Sequence, residues 1–485
     1  MKYTNAIRRV HGIAAAIALS FGAAAAPLHA AHPGDPDPSF GQNGYLWTDF
    51  FNSTEEIYAL APMADGRFLA AGMVVGANAA PPGTSENLAV ARYLPNGALD
   101  DSFGDGGLMQ LDIQSGPDSA QAVKLMPNRG ILIGAKLTTG AYADFGLVKL
   151  RHDGSLDTTF GELDAGSARK GYARLDIGGP SVHDDLEALA VTSEGRIVAA
   201  GVTRVAHGNT SYPQAVVARF TAVGEVDTSF GGGAGYVVLP QFVAEAGDAV
   251  TGIALNQAGN LGSDNRIVIV GYTSGRNTAF VVRFNANGTL DTTFGTGGSV
   301  VLQAANSGGQ PTGVSRIMAA RLARDGKILI LGDGSDRGMT VMRLNTNGAI
   351  DTSFGTNGRT TIKYSGSSEY DEPASLALQG NGKIVAAGYA TSRQTGAPHE
   401  DFFVARLLPN GQPDNGFGDG QARAIVQVSP VNDGAFAVEV EPSGNLLVGG
   451  YQARDGITGR DFALLRLFGD PDRIFANGFD GPGFD

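Results

Sequence analysis

The chain has no cysteine among its 485 residues. Disulfides, thiolate-bound metals and thiol nucleophiles are therefore excluded. Histidine is scarce: there are seven, none begins an H-E-x-x-H pattern, and among the five beyond residue 30 (His32, His152, His183, His207 and His399) no pair has the spacing that puts two imidazoles on one helix face. Basic charge is also short, with 35 Lys and Arg against 48 Asp and Glu, for a net charge of -13. A surface this acidic lacks what nucleic-acid phosphates require, so no nucleic-acid partner is expected. Long apolar runs are missing too, apart from one near the N-terminus that is too short to span a bilayer comfortably.

That one run is informative. Lys2, Arg8 and Arg9 precede an Ala-rich apolar stretch, Ile13 to Ala26, and Leu28-His29-Ala30 offers a small residue for cleavage. This is the pattern of a secretory signal peptide over residues 1–30, so the chain is expected to be exported to the periplasm, the cell surface or the medium. Removing it deletes three basic residues and no acidic one, leaving a more acidic protein with no transmembrane segment expected.

Glycine, by contrast, is abundant at 71 residues, about twice average usage. It accompanies a repeat. A loose Asp-x-Ser/Thr-Phe-Gly motif recurs with its aromatic residue at Phe40, Phe103, Phe160, Phe230, Phe294, Phe354 and Phe417, at spacings of 63, 57, 70, 64, 60 and 63 residues. Recurrence at such a period marks a chain of similar stacked units. Each unit also carries a turn between apolar runs, such as MADGRFLAAG, ARDGKILILG and QGNGKIVAAG. Asp-Gly and Asn-Gly in this setting are strong hairpin signals, because both central residues need positive φ. After Phe-Gly comes a first short strand, such as Gly44–Trp47 or Gly358–Ile362. A hairpin of two strands follows, then a fourth strand ending in a basic residue.

Four short strands in each of seven units predict an all-β fold, a seven-bladed β-propeller of four-stranded antiparallel blades spanning residues 31–468. An open β-solenoid is the alternative, since period alone does not demonstrate ring closure. The ends favour a ring. The motif at Phe40 precedes any fourth strand, and the last fourth strand, Asp461–Phe468, lacks a good Phe-Gly copy after it, so joining the termini completes seven units. Residues 469–485 leave the repeat and are expected to form a flexible acidic tail.

The Arg343-to-Gly355 segment, of form R-L-x-x-x-G-x-[LI]-D-x-S-F-G, and the Asp325-to-Gly332 hairpin, of form D-G-K-I-x-x-x-G, resemble the delta-60 repeat of bacterial exported and surface proteins. The resemblance covers about residues 36–468. It implies the fold and export, and brings no catalytic residues, because the family is known mainly as a repeat without an assigned reaction.

Arg92, Lys149, Arg219, Arg283, Arg343, Arg406 and Arg466 end the fourth strands. In six units a Phe follows 11 residues later, with an Asp three residues before it. Residues used once per unit are expected to serve the scaffold. Length variation lies elsewhere. It falls in the first-to-second and third-to-fourth strand loops, which share one face, so that face is the candidate binding surface. Glu55, Asp184, Asp248, Asp371 and Asp433, each 11 residues before a hairpin-region glycine, open second strands there, and Asp144, Asp401 and Asp461 open fourth strands. Such carboxylates are candidate ligands for calcium, another hard cation or a cationic partner; the alternative is that they are solvated strand ends.

No catalytic motif is evident. The chain lacks a G-x-S-x-G elbow and a G-x-x-x-x-G-K-[ST] phosphate loop, and Gly231–Gly235 fails the dinucleotide spacing. Its single tryptophan, Trp47, leaves no set of blade-docking tryptophans like that of quinone-dependent propeller dehydrogenases. Three functional expectations remain open. The first is an exported, non-catalytic module whose variable-loop face binds a protein, polysaccharide or cation. The second is a lyase or hydrolase of an extracellular polymer, using acids such as Asp184 or Asp371. The third is a structural spacer in a surface assembly.

Overall fold

The computed structural model describes residues 32–470, apart from 51–52, 76–85, 114–115, 128, 209, 245, 257–264, 275–277, 304–312, 335–336, 365–369, 393–398 and 455–458. The signal-peptide assignment over 1–30 and the tail beyond 470 lie outside these residues. A first strand, β1 (Tyr45–Thr48), precedes the first blade. Blade 1 is β2 (Glu55–Pro62), β3 (Phe68–Val75), β4 (Glu86–Tyr93) and β5 (Leu108–Leu111). Blade 2 is β6 (Ser119–Leu125), β7 (Ile131–Thr139), β8 (Tyr142–Leu150) and β9 (Tyr172–Leu175). Blade 3 is β10 (Asp184–Val191), β11 (Ile197–His207), β12 (Thr210–Phe220) and β13 (Tyr236–Val238). Blade 4 is β14 (Asp248–Leu255), β15 (Ile267–Thr273), β16 (Thr278–Phe284) and β17 (Ser299–Gln303). Blade 5 is β18 (Val314–Leu322), β19 (Ile328–Gly334), β20 (Met339–Leu344) and β21 (Arg359–Ile362). Blade 6 is β22 (Asp371–Leu378), β23 (Ile384–Ser392), β24 (His399–Leu407) and β25 (Arg423–Val426). Blade 7 contains β26 (Asp433–Val440), β27 (Leu446–Ala453) and β28 (Arg460–Leu467).

Blade 7 takes its fourth strand from the other end of the chain. β1 pairs antiparallel with β28, Tyr45 opposite Leu465 and Thr48 opposite Phe462, so the seventh sheet runs β1-β28-β27-β26. The first strand of each blade also touches its counterparts in both neighbouring blades, β2 against β26 and β6, and so on around the circle. The molecule is thus a seven-bladed propeller of four-stranded antiparallel sheets, closed through its termini, and not an open solenoid. The sequence units are offset from the blades by one strand. The short strand after each Phe-Gly, read as the start of a unit, is the outer edge of the preceding blade, because its tight connection leaves it beside the strand it follows.

The recurring Arg, Asp and Phe form one node per blade. The Phe rings are buried, and each Arg guanidinium lies over its ring, at 4.8 Å for Arg92 on Phe103 and 4.6 Å for Arg466 on Phe40. The Arg Nε donates to the Asp, at 2.8 Å for Arg219 to Asp227 and for Arg283 to Asp291. A terminal guanidinium nitrogen then reaches the next blade: Arg343 donates to Pro409 O at 2.8 Å, and Arg92 and Arg283 donate to His152 O and Thr346 O. At the seventh blade the node joins residues 429 apart, Arg466 donating to Asp37 at 2.9 Å and to Pro95 O of blade 1. Burial alone would raise these aspartates, but the hydroxyl, amide and guanidinium donors hold Asp100, Asp227, Asp291 and Asp351 below the ordinary carboxylate range. Between blades the apolar faces pack: Phe230, Phe280, Phe284, Val217 and Ile269, for example, form one cluster between blades 3 and 4.

Every inner strand carries a bulge near its start, as between Ile57 and Ala59 in β2. This explains the glycine that recurs after the hairpin. A Cβ on Gly201 would stand 2.0 Å from the Asp185 carbonyl oxygen, and one on Gly388 would stand 1.9 Å from that of Glu372.

Candidate functional site

Antiparallel pairing puts the loops β3–β4 and β5–β6, with their counterparts, on one face, and the tight hairpins and Phe-Gly connectors on the other. The five acids singled out in the sequence lie at the variable-loop ends of five inner strands, and all five are buried. They do not converge; each occupies a different blade boundary. Asp433 accepts from Val428 N and Ser429 N, both at 2.9 Å, and from Phe402 N at 3.0 Å. Asp371 accepts from Tyr364 N at 2.6 Å, Asp184 from Gly178 N at 3.1 Å, and Asp248 from the Thr273 hydroxyl at 3.1 Å. Each Asp thus tethers the loop entering its blade or the strand beside it. They are not solvated strand ends, and the backbone of the entering loop covers Asp184 and Asp371.

Asp118 belongs to the same set, accepting from Ile113 N at 2.6 Å and Thr138 N at 2.9 Å. The spacing rule misses it because the hairpin MPNRGILIGA places its glycine one residue later. In blade 5 the same position is Ser315. Burial raises Asp118 and Asp248 to about 6 against their hydrogen bonds. It raises Asp433 to about 8, with the nearby Asp401 adding to the shift. Glu55 also rises to about 8, through burial and then the charges of Asp49 and Asp461, while Arg454 opposes.

Among the described residues, carboxylates gather in threes at two boundaries: Asp49, Glu55 and Asp461 between blades 7 and 1, and Asp144, Asp176 and Asp184 between blades 2 and 3. In the first group the Arg454 guanidinium sits among the three, 2.9 Å from Asp49, 3.6 Å from Glu55 and in contact with Asp461.

A second feature of this face was not legible in the sequence. Charged and aromatic side chains at the strand ends bridge blades 5, 6, 7 and 1. Arg316 donates to Glu372 at 2.7 Å and also pairs with Asp333. The Tyr451 hydroxyl donates to Glu400 at 3.0 Å, and Arg460 lies 3.9 Å from the Tyr451 ring while pairing with Glu56. Tyr58 donates to Glu56 at 3.0 Å and packs 6.0 Å from Phe436. Burial, then Glu372 and Glu400, push the Tyr389 phenol up to about 12. These groups come from the inner strands of four blades and from the second and third strands beside them, so only blade stacking brings them together. At the opposite ends of the inner strands, Arg321 of blade 5 pairs with Glu439 of blade 7 at 3.2 Å, across non-adjacent blades. Burial lowers the nearby Lys124 of blade 2, and Glu439 opposes that shift.

Six segments, 64–103, 127–160, 192–230, 262–294, 323–354 and 379–417, match a family model described as "Domain of unknown function (DUF5122) beta-propeller". Each runs from a hairpin to the Phe of the next connector; the seventh equivalent would start near Glu441 and end at Phe40, split between the chain ends. No curated protein matches. Similar solved structures include a Penicillium chrysogenum alpha-L-arabinanase complexed with arabinobiose, at 10% identity over 90% of this chain and 97% of that one, with a TM-score of 0.39. Another is an intramolecular trans-sialidase from Ruminococcus gnavus in complex with oseltamivir carboxylate, at 10% identity over 87% and 94%, with a TM-score of 0.34. With six of its seven units matched and its seven sheets closed into a ring, the chain is a β-propeller repeat protein.

Proposed function

We propose that this chain is an exported, non-catalytic propeller of the delta-60 type that binds a polysaccharide through its variable-loop face. The observation that carries the reading is the belt of tyrosines and ion pairs bridging four blades on that face. The partly exposed Tyr58 and Tyr389 each offer an apolar ring face and a polar tip, which suits a ligand made of hydroxylated rings, while Tyr451 lies buried beneath Arg460. The loops around the belt vary in length while the rest of the unit repeats, as expected where a rigid scaffold presents a variable site. Of the acidic set, Asp184, Asp248, Asp371 and Asp433 support this face from beneath by bonding its loops and the adjoining strand, and Glu55 does so through its ion pair with Arg454. The reading is tested by titrating xylan, mannan and glucan oligosaccharides into the purified chain and into Tyr58→Ala/Tyr389→Ala. Saturable binding that the double substitution weakens at least tenfold supports it. Release of shorter products would replace it with an enzyme, and capture of a protein but no sugar with a protein-binding module.

A further inference from the structure

The two carboxylate triads occupy equivalent places. Asp461 and Asp144 open the third strands of their blades, five residues before the node cation. Asp49 and Asp176 directly follow the outer strands β1 and β9, and Glu55 and Asp184 begin the next inner strands. At the boundary of blades 7 and 1 a guanidinium neutralises the group, Arg454 lying two residues beyond Gln452, the ladder partner of Asp461. The same register at the boundary of blades 2 and 3 puts Thr139 in that place, two residues beyond Leu137, the partner of Asp144. Arg174 reaches the edge of this group, its Nη1 donating to the Thr139 hydroxyl and lying 3.8 Å from Asp144, while its Nε pairs with Glu162 at 3.2 Å.

Two buried oxygens at this boundary point to a ligand. Asp184 is 0% exposed; its Oδ2 accepts from Ile177 N and Gly178 N, but its Oδ1 has no hydrogen-bond partner in the protein. Thr203, 2% exposed and opposite Asp184 in the β10–β11 ladder, has an Oγ1 that is likewise unpartnered. In blade 4 the same pair, Asp248 and Thr273, bonds to itself at 3.1 Å. A buried carboxylate oxygen without a donor is costly, and a cation removes that cost. The three carboxylates each offer one oxygen, all within 4.8 Å of one another. Oxygens on opposite sides of a calcium ion are about 4.6–5.2 Å apart, since each lies about 2.3–2.6 Å from it. An all-oxygen set of carboxylates and a hydroxyl, with Asp176 exposed to water, is the donor chemistry of a hard divalent cation.

We propose that Asp144, Asp176 and Asp184, with the Thr203 hydroxyl, form a calcium site that fastens blade 2 to blade 3. It is independent of sugar binding at the belt, which lies in other blades. The test is calorimetric titration of calcium chloride into the EDTA-treated, dialysed full chain, with melting curves in parallel. One saturable site per chain and a raised melting temperature are expected. Asp176→Asn should weaken calcium at least tenfold. Thr139→Arg, which copies the Arg454 device, should abolish the calcium response while the protein stays folded. Glu55→Gln should leave it unchanged. No saturable heat in the wild type, or calcium binding that survives both Asp176→Asn and Thr139→Arg, overturns the proposal.

Discussion

At the residue scale, the node shows why arginine ends most of the third strands. Its planar guanidinium meets the Asp, covers the Phe ring and still reaches a carbonyl of the next blade. Lys149 holds Asp157 at 3.1 Å and stands 5.6 Å from the Phe160 ring, and a single ammonium has no fork to add a directed donor toward blade 3. Lys149→Arg is therefore expected to stabilise the protein by about 1 kcal/mol, through a new hydrogen bond to the turn at Ala222, read as a higher denaturation midpoint with unchanged slope. The buried acids make stability depend on pH in a definite sense. Glu55 and Asp433 have folded values raised to about 8, above their unfolded values. Their contribution is fully present below the unfolded value near 4 and is lost as pH rises toward 8. Asp100, Asp227, Asp291 and Asp351 of the node are lowered, so their contribution is lost on acidification below about 4. The melting temperature should peak near pH 4 and fall on both sides. Asp433→Asn should lower the peak, because an amide cannot accept from Phe402 N as well as from both loop amides, and should flatten the alkaline slope. An unchanged slope would refute the assignment to Asp433.

At the element scale, the hairpins and strands were readable because their signals are local. Alternating apolar runs and Asp-Gly turns fix each strand pair without reference to the rest of the chain. Phe230 shows what the recurring aromatic does: it lies under Arg219 at 4.8 Å within the cluster between blades 3 and 4. Phe230→Ala should cost about 3–5 kcal/mol, measured by chemical denaturation, since the ring leaves a cavity that flanking strands cannot refill. The role of the inner-strand acids was less readable. Their regular spacing was visible, but not that the backbone of the arriving loop would bury and bond them. Asp118, displaced by one residue in its hairpin, shows that the ladder register defines the position where sequence spacing does not.

At the scale of the whole molecule, closure depends on a short N-terminal segment. β1 completes blade 7, Gly418 N donates to Pro33 O at 2.9 Å, and Arg406 pairs with Asp470 at 3.0 Å. Both chain ends thus supply contacts to blade 6 that a blade's third-strand turn supplies elsewhere, as Asp153 O does for Gly104 N. Arg466→Ala should cost about 3–5 kcal/mol, because it strands the buried Asp37 and opens the seam. A chain lacking residues 32–48 would expose the β28 edge and is expected to self-associate, detected by light scattering. A monomer of unchanged stability would refute the role of the seam.

The seven units, their strands, the node residues and the closing logic were determined by the sequence, because each rests on short-range pattern and repetition. Only the tertiary structure decided which side chains from different blades meet. The belt from Arg316 to Glu56, the Arg321–Glu439 pair and the contrast between the triads at Arg454 and at Thr139 all join strands far apart in the chain. The repeat makes those neighbourhoods equivalent in backbone, so single substitutions distinguish them, and their consequences appear once the blades stand side by side.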